Sequence, residues 1–123
     1  MRPPAHTGGE RGKAMDEKLK ALADKITAER LEYMINFSKG YVDGADAVMA
    51  LHGESSIIAT VRPGKKYTKI DVGSSGKYMV DNATGEIFGI KAYGVINRGH
   101  RYGTLDTINN WHWGGYDAVR KAA

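Results

Sequence analysis

Residues 67–81 read Tyr67-Thr68-Lys69-Ile70-Asp71-Val72-Gly73-Ser74-Ser75-Gly76-Lys77-Tyr78-Met79-Val80-Asp81, two short runs held apart by a glycine- and serine-rich tetrapeptide. Side chains that alternate with a period of two mark a half-buried strand, and a Gly/Ser cluster between two such runs marks a reversal. In the first run Thr68, Ile70 and Val72 share one face, with Tyr67, Lys69 and Asp71 on the other. In the second, Tyr78 and Val80 share a face and Lys77, Met79 and Asp81 oppose it, a pattern that leaves the core side of that strand open. Upstream, Ser56–Arg62 carries Ile57, Ile58, Thr60 and Val61 and stops at Pro63-Gly64, a turn dipeptide whose proline cannot continue a central strand. Downstream, Asn82-Ala83-Thr84-Gly85 turns the chain into Glu86–Tyr93. The expectation over residues 56–108 is a three- to four-stranded antiparallel meander, with a long loop from Tyr93 to Gly103 and a last short strand near Tyr102–Ile108.

Before the meander the period changes to that of a helix. Leu19, Leu22, Ala23, Ile26, Met34 and Phe37 recur at steps of three and four from Asp16 onward, with Gly40 as a C-terminal stop. Ala45–His52, flanked by Gly44 and Gly53, reads as a second, shorter helix, and the two are expected to form a hairpin over residues 15–53. Residues 1–14 hold two prolines, three glycines and three bases and are expected to be a flexible basic arm. At the other end, residues 111–121 carry Trp111, Trp113 and Tyr116, expected to clamp the C-terminus onto the sheet or the first helix, with a closing helical turn over Tyr116–Lys121. The predicted fold is thus a single α+β domain over 15–123: an N-terminal helix hairpin packed on the meander, and a short C-terminal helix.

A chain of 123 residues with 41% apolar content can bury one modest core. The absence of cysteine excludes disulfides, thiolate zinc sites and cysteine nucleophiles. No run approaches the ~18 apolar residues of a membrane span, and the opening residues have no apolar leader stretch, so neither membrane insertion nor export is expected. Charge is segregated: residues 15–54 hold eight acids against five bases, while residues 62–103 hold eight bases against three acids. Such a field can steer a polyanion to one face or dock two chains together.

The basic half supplies the candidate site. Lys65, Lys66, Tyr67, Lys69, Lys77, Tyr78, Lys91, Arg98, His100 and Arg101, with Tyr93 and Tyr102 among them, interleave cations with rings. Lysine and arginine neutralise phosphates, and tyrosine faces stack bases for ~1–3 kcal/mol each, so a sheet surface bearing both can hold a nucleic-acid strand. The commonplace alternative is a solvated sheet face, since strand lysines also block aggregation. Gly94–Arg101 has P-loop glycine spacing but lacks the Lys-Ser/Thr, leaving at most a backbone anion nest. Gly73–Lys77 echoes a GXXG clamp yet joins two strands, which makes it a hairpin turn. His6, His52, His100 and His112 show no metal-ligand spacing, no serine sits in a nucleophile motif, and Asp43 and Asp46 suit a helix start. No catalytic residue, metal or cofactor is expected. Trp111–Tyr116 reads either as core or as an exposed recognition patch.

Lys66-Tyr67-Thr68-Lys69-Ile70, Tyr78-Met79-Val80, Thr84–Lys91 and Tyr102–Thr107 form a pattern that resembles small uncharacterised proteins encoded by phages and prophages, over about residues 65–110. The resemblance implies a setting, the cytoplasm of a host cell, and no catalytic residues. It raises two expectations: a nucleic-acid-binding accessory protein, with a single strand favoured, or a protein-interaction module, either a host-protein inhibitor or a homo-oligomer contacting through the helical half.

Overall fold

The computed structural model describes residues 3–73 and 75–122, with side chains from residue 13 onward. Helix α1 spans Pro3–Ser38, so it begins upstream of Asp16; prolines suit a first helical turn, where the missing N–H has no intrahelical partner anyway. Leu19, Leu22, Ala23 and Ile26 are buried, and this stripe packs on the sheet, with Met15 the first described side chain to join it. Helix α2, Ala45–His52, is only eight residues long. Its ring nitrogen at His52 meets the Ser38 hydroxyl at 3.0 Å, tying the ends of the two helices together. Val48 is buried, but α2 contributes no member to the main core, and Leu51 remains half exposed. The expected hairpin of two helices on the sheet is therefore corrected: α1 alone covers it, because α2 has too short an apolar side to reach.

The sheet has five strands in the order β1 (Ala59–Arg62), β2 (Tyr67–Val72), β3 (Ser75–Asp81), β4 (Glu86–Ala92) and β5 (Val95–Thr104), each antiparallel to its sequence neighbour. β5 occupies the segment read as a loop. It forms because Tyr93-Gly94, with Gly94 at φ +77°, makes a two-residue connection that returns Val95 to a position opposite Ala92. Irregularities between Glu86 and Ala92 absorb the glycine-rich sequence of β5 without ending the pairing.

No helix forms at Tyr116–Lys121. Trp111–His112 pairs as β6 with Val119–Arg120 as β7, a separate two-stranded sheet. Gly114 explains the difference: a Cβ there would lie 2.6 Å from the Glu29 carbonyl oxygen, so the chain crosses α1 at backbone contact and cannot coil beside it. Trp113 N–H donates to Glu29 Oε1 at 2.7 Å and Arg30 Nη1 donates to the Gly114 carbonyl at 3.4 Å. Burial and the charge of Lys25 act on Glu29 in opposite directions, and its pKa ends below the ordinary 4.5 because the Trp113 amide and Lys25 both favour the carboxylate. No described helix is long and apolar enough to cross a membrane.

Candidate nucleic-acid interface

The cross-strand register decides which face each candidate takes, because directly opposed residues on neighbouring strands point the same way. Val61, Ile70 and Tyr78 are opposed in turn, as are Thr68, Val80 and Ile87, and all of these face α1. Tyr78 is 1% exposed, its ring edge-on to Tyr102 and to Trp113 at 5.4 Å each. It presents no surface for stacking, which removes it from the candidate interface; alternation within β3 groups Tyr78 with Val80 but does not say which side α1 covers, and the pairing that opposes Tyr78 to buried Ile70 decides it.

On the opposite face one row crosses all five strands: Arg62, Lys69, Met79, Phe88 and Arg101 stand next to one another. Cations lie at both ends and apolar side chains in the middle. Met79 and Phe88 are each only 4% exposed although no helix covers them. Arg98 reaches over the row instead, its guanidinium 5.5 Å from the Phe88 ring centre and 5.7 Å from that of Tyr67, whose hydroxyl it also bonds. Lys66 Nζ lies 5.5 Å from the Tyr67 ring and Lys69 Nζ 5.2 Å from the Tyr93 ring. Tyr93 in turn packs over Gly76, where a Cβ would come within 2.7 Å of its ring, and donates its hydroxyl to Asp71 Oδ2 at 3.2 Å. Partial desolvation, then the bond to Asp71, pushes the Tyr93 pKa up.

Five cations on this face meet acids unevenly. Arg62 pairs with buried Asp71 at 2.7 Å and Arg101 with Glu86 at 2.6 Å. Among the described residues Lys66, Lys69 and Arg98 have no carboxylate partner and rest on aromatic rings. The remaining candidates do not converge here. Lys77 lies on the other side, 3.9 Å from the Tyr116 ring centre. His100 faces with Gly89 and Tyr102 toward α1's side, since a Cβ on Gly89 would meet His100 Cβ at 3.2 Å. Lys91 is exposed at a register irregularity near the end of β4 and has no ring beneath it among the described residues, and Lys65 is exposed in the β1–β2 turn. The anion nest read at Gly94–Arg101 is a strand edge, and among the described residues no three His, Asp or Glu side chains gather as a metal site.

Among the described residues the buried Tyr78 hydroxyl has no hydrogen-bond partner of ordinary geometry, although the Ala118 backbone lies near it. Burial first, then the Tyr102 and Asp117 charges, hold its pKa well above the ordinary 10.0. The folded chain therefore keeps this proton where the unfolded chain loses it, so its contribution is complete below pH 10.0 and fades as pH rises through that value. Tyr78→Phe is expected to flatten that alkaline decline in urea denaturation and, by deleting an unpartnered polar atom, to raise neutral-pH stability by about 1 kcal/mol. A destabilised Tyr78→Phe would show that the hydroxyl is satisfied.

Compared with protein-family models, curated proteins and solved structures, the chain matches none of them.

Proposed function

We propose that the sheet face turned away from α1 binds a single nucleic-acid strand, as an accessory protein of a phage-related system working in the host cytoplasm. The observation that carries this reading is the set of three cations without carboxylate partners, Lys66, Lys69 and Arg98, standing on Tyr67, Phe88 and Tyr93. In this reading Lys66, Lys69, Arg98 and Arg101 take phosphates, while the Tyr67 ring and the flat Arg98 guanidinium stack bases, arginine being suited to both tasks. The rings already hold the protein's own cations, so a base adds to an arranged cation–ring stack instead of finding a bare ring.

The test is fluorescence anisotropy with a short labelled oligothymidylate and a duplex control across a salt series. With three or four phosphates neutralised, log K against log salt should fall with a slope of about −2 to −3 for the single strand. Tyr67→Ala should cost about 1–3 kcal/mol of binding. Lys77→Ala, on the other side of the sheet, should change little. No binding at low salt, or Lys77→Ala weakening binding as much as Tyr67→Ala, overturns the reading.

One observation favours a second reading, a protein contact through the helical half. Tyr33, Phe37 and Tyr41 are 47%, 73% and 81% exposed near the end of α1, with Tyr33 and Phe37 stacked at 6.4 Å. Large exposed aromatics in one place mark an interaction surface more often than solvent-facing structure. Failure of the oligonucleotide titration leaves this patch as the molecule's contact surface.

A further inference from the structure

Behind the sheet, on the side opposite the basic row, a cavity of about 340 Å³ lies between α1, the turn at Glu54–Ser56, β3 and the C-terminal segment. That volume lies in the range of small-ligand pockets. Its apolar wall is Ile26, Val72 and Trp113; its polar wall is Arg30, Lys77 and the serines 55, 56 and 75. Among the described residues no carboxylate lines it.

Two cations sharing a pocket without an acid between them repel one another and are costly to desolvate. Lys77 has 21% of its side chain exposed, and its nearest acid, Asp117, stands 3.9 Å away. Burial lowers the Lys77 pKa, Asp117 only partly opposing and Arg30 adding to the effect. Arg30 spends Nε on the Ser56 carbonyl at 3.2 Å and Nη1 on the Gly114 carbonyl, which fixes the guanidinium at the wall with Nη2 uncommitted to any described protein group. Tyr78 also borders the cavity, but its hydroxyl has no accessible surface and takes no part in binding. Tyr116, 83% exposed, stands at the margin with its ring under Lys77. Two cations with only one acid, Asp117, at 3.9 Å from Lys77, hydroxyl donors and an apolar wall thus meet in one place, and each is a feature that an anion with an apolar body would satisfy.

We propose that this cavity binds a small organic oxyanion, a carboxylate or a phosphate joined to an apolar ring or chain, with Lys77 and Arg30 as its charge partners. The apolar body lies against Ile26 and Trp113, and the serine hydroxyls complete the hydrogen bonds of the charged group. This site is independent of the nucleic-acid reading, since it lies across the sheet from Lys69 and Arg98.

The experiment is an amide-detected NMR titration of the full chain with phenyl phosphate, phenylacetate and the neutral benzyl alcohol. Saturable shifts at residues 75–78 and 113–116 are expected with an anion and not with the alcohol, and the tighter of the two anions identifies the charged group. Lys77→Met should weaken binding about tenfold or more, because a buried charge partner is lost, and Lys77→Arg should restore most of it. No saturation by the millimolar range, equal binding of benzyl alcohol, or an unaltered affinity in Lys77→Met overturns the proposal.

Discussion

Trp113→Ala is expected to destabilise the fold by about 3–5 kcal/mol, the range for truncating a large buried aromatic. Trp113 is 1% exposed and sits where the C-terminal segment meets α1 and the sheet. Its ring packs edge-on against Tyr78, and its indole N–H donates to the Ile108 carbonyl at 2.9 Å. Alanine would leave a void beside a cavity already present, and the Ile108 carbonyl would lose its donor. Since domains of this kind are held together by about 5–15 kcal/mol, the loss takes a large share of the total. Urea denaturation followed by the fluorescence of the remaining Trp111 measures it. Tyr116→Ala, at an 83% exposed position, should stay within about 0.5 kcal/mol. Equal effects for the two variants would mean that the C-terminal segment is not seated on α1.

Gly73→Ala is the second substitution with a large expected cost. Gly73 has φ +65°, a conformation that costs a residue with a Cβ about 1–2 kcal/mol. A Cβ there would also fall 1.4 Å from the Ser55 carbonyl oxygen, a backbone atom that no rotamer change can move aside. The β2–β3 turn would have to lift away from the Glu54–Ser56 turn, breaking the Gly73 N–H bond to the Ile58 carbonyl at 3.1 Å. Overpacking of that sort adds about 1–3 kcal/mol. Gly40→Ala isolates the first contribution, since Gly40 has φ +91° with nothing within 4 Å of its would-be Cβ. The difference between the two variants in chemical denaturation is therefore the cost of the close approach, and no difference would mean that the turn does not rest on Ser55.

Most of the α+β plan was legible because its signals are local. The steps from Leu19 through Leu22 to Ile26 reported the buried stripe of α1, and the alternation of Tyr67–Val72 reported the faces of β2 correctly. What failed depended on contacts outside the segment being read. β5 reads as a loop because its glycines at 99 and 103 lower strand propensity, yet pairing with β4 outweighs that weakness; the Tyr93-Gly94 dipeptide was the available signal. The C-terminal residues have helix-compatible spacing, but a backbone crossing at Glu29 dictates strands. For the site, the kinds of residue were readable and their convergence was not: the face of Tyr78 and the reach of Arg98 over Tyr67 follow from register and from β5. The cavity behind the sheet left no motif, since Arg30, Ser55, Lys77 and Tyr116 are brought together from four separate segments.

The bonds from Glu29 and Arg30 to residues 113 and 114 span 84 positions of chain, whereas every strand of the main sheet pairs with its immediate neighbour in sequence. During synthesis the meander can close strand by strand as it emerges, while the apolar stripe of α1, made earlier, stays partly uncovered until Trp113 leaves the ribosome. A helix translated earlier is thus completed by a segment made 84 residues after it, and a nascent chain stalled in between exposes Leu22 and Ile26 to whatever chaperone or neighbour is near.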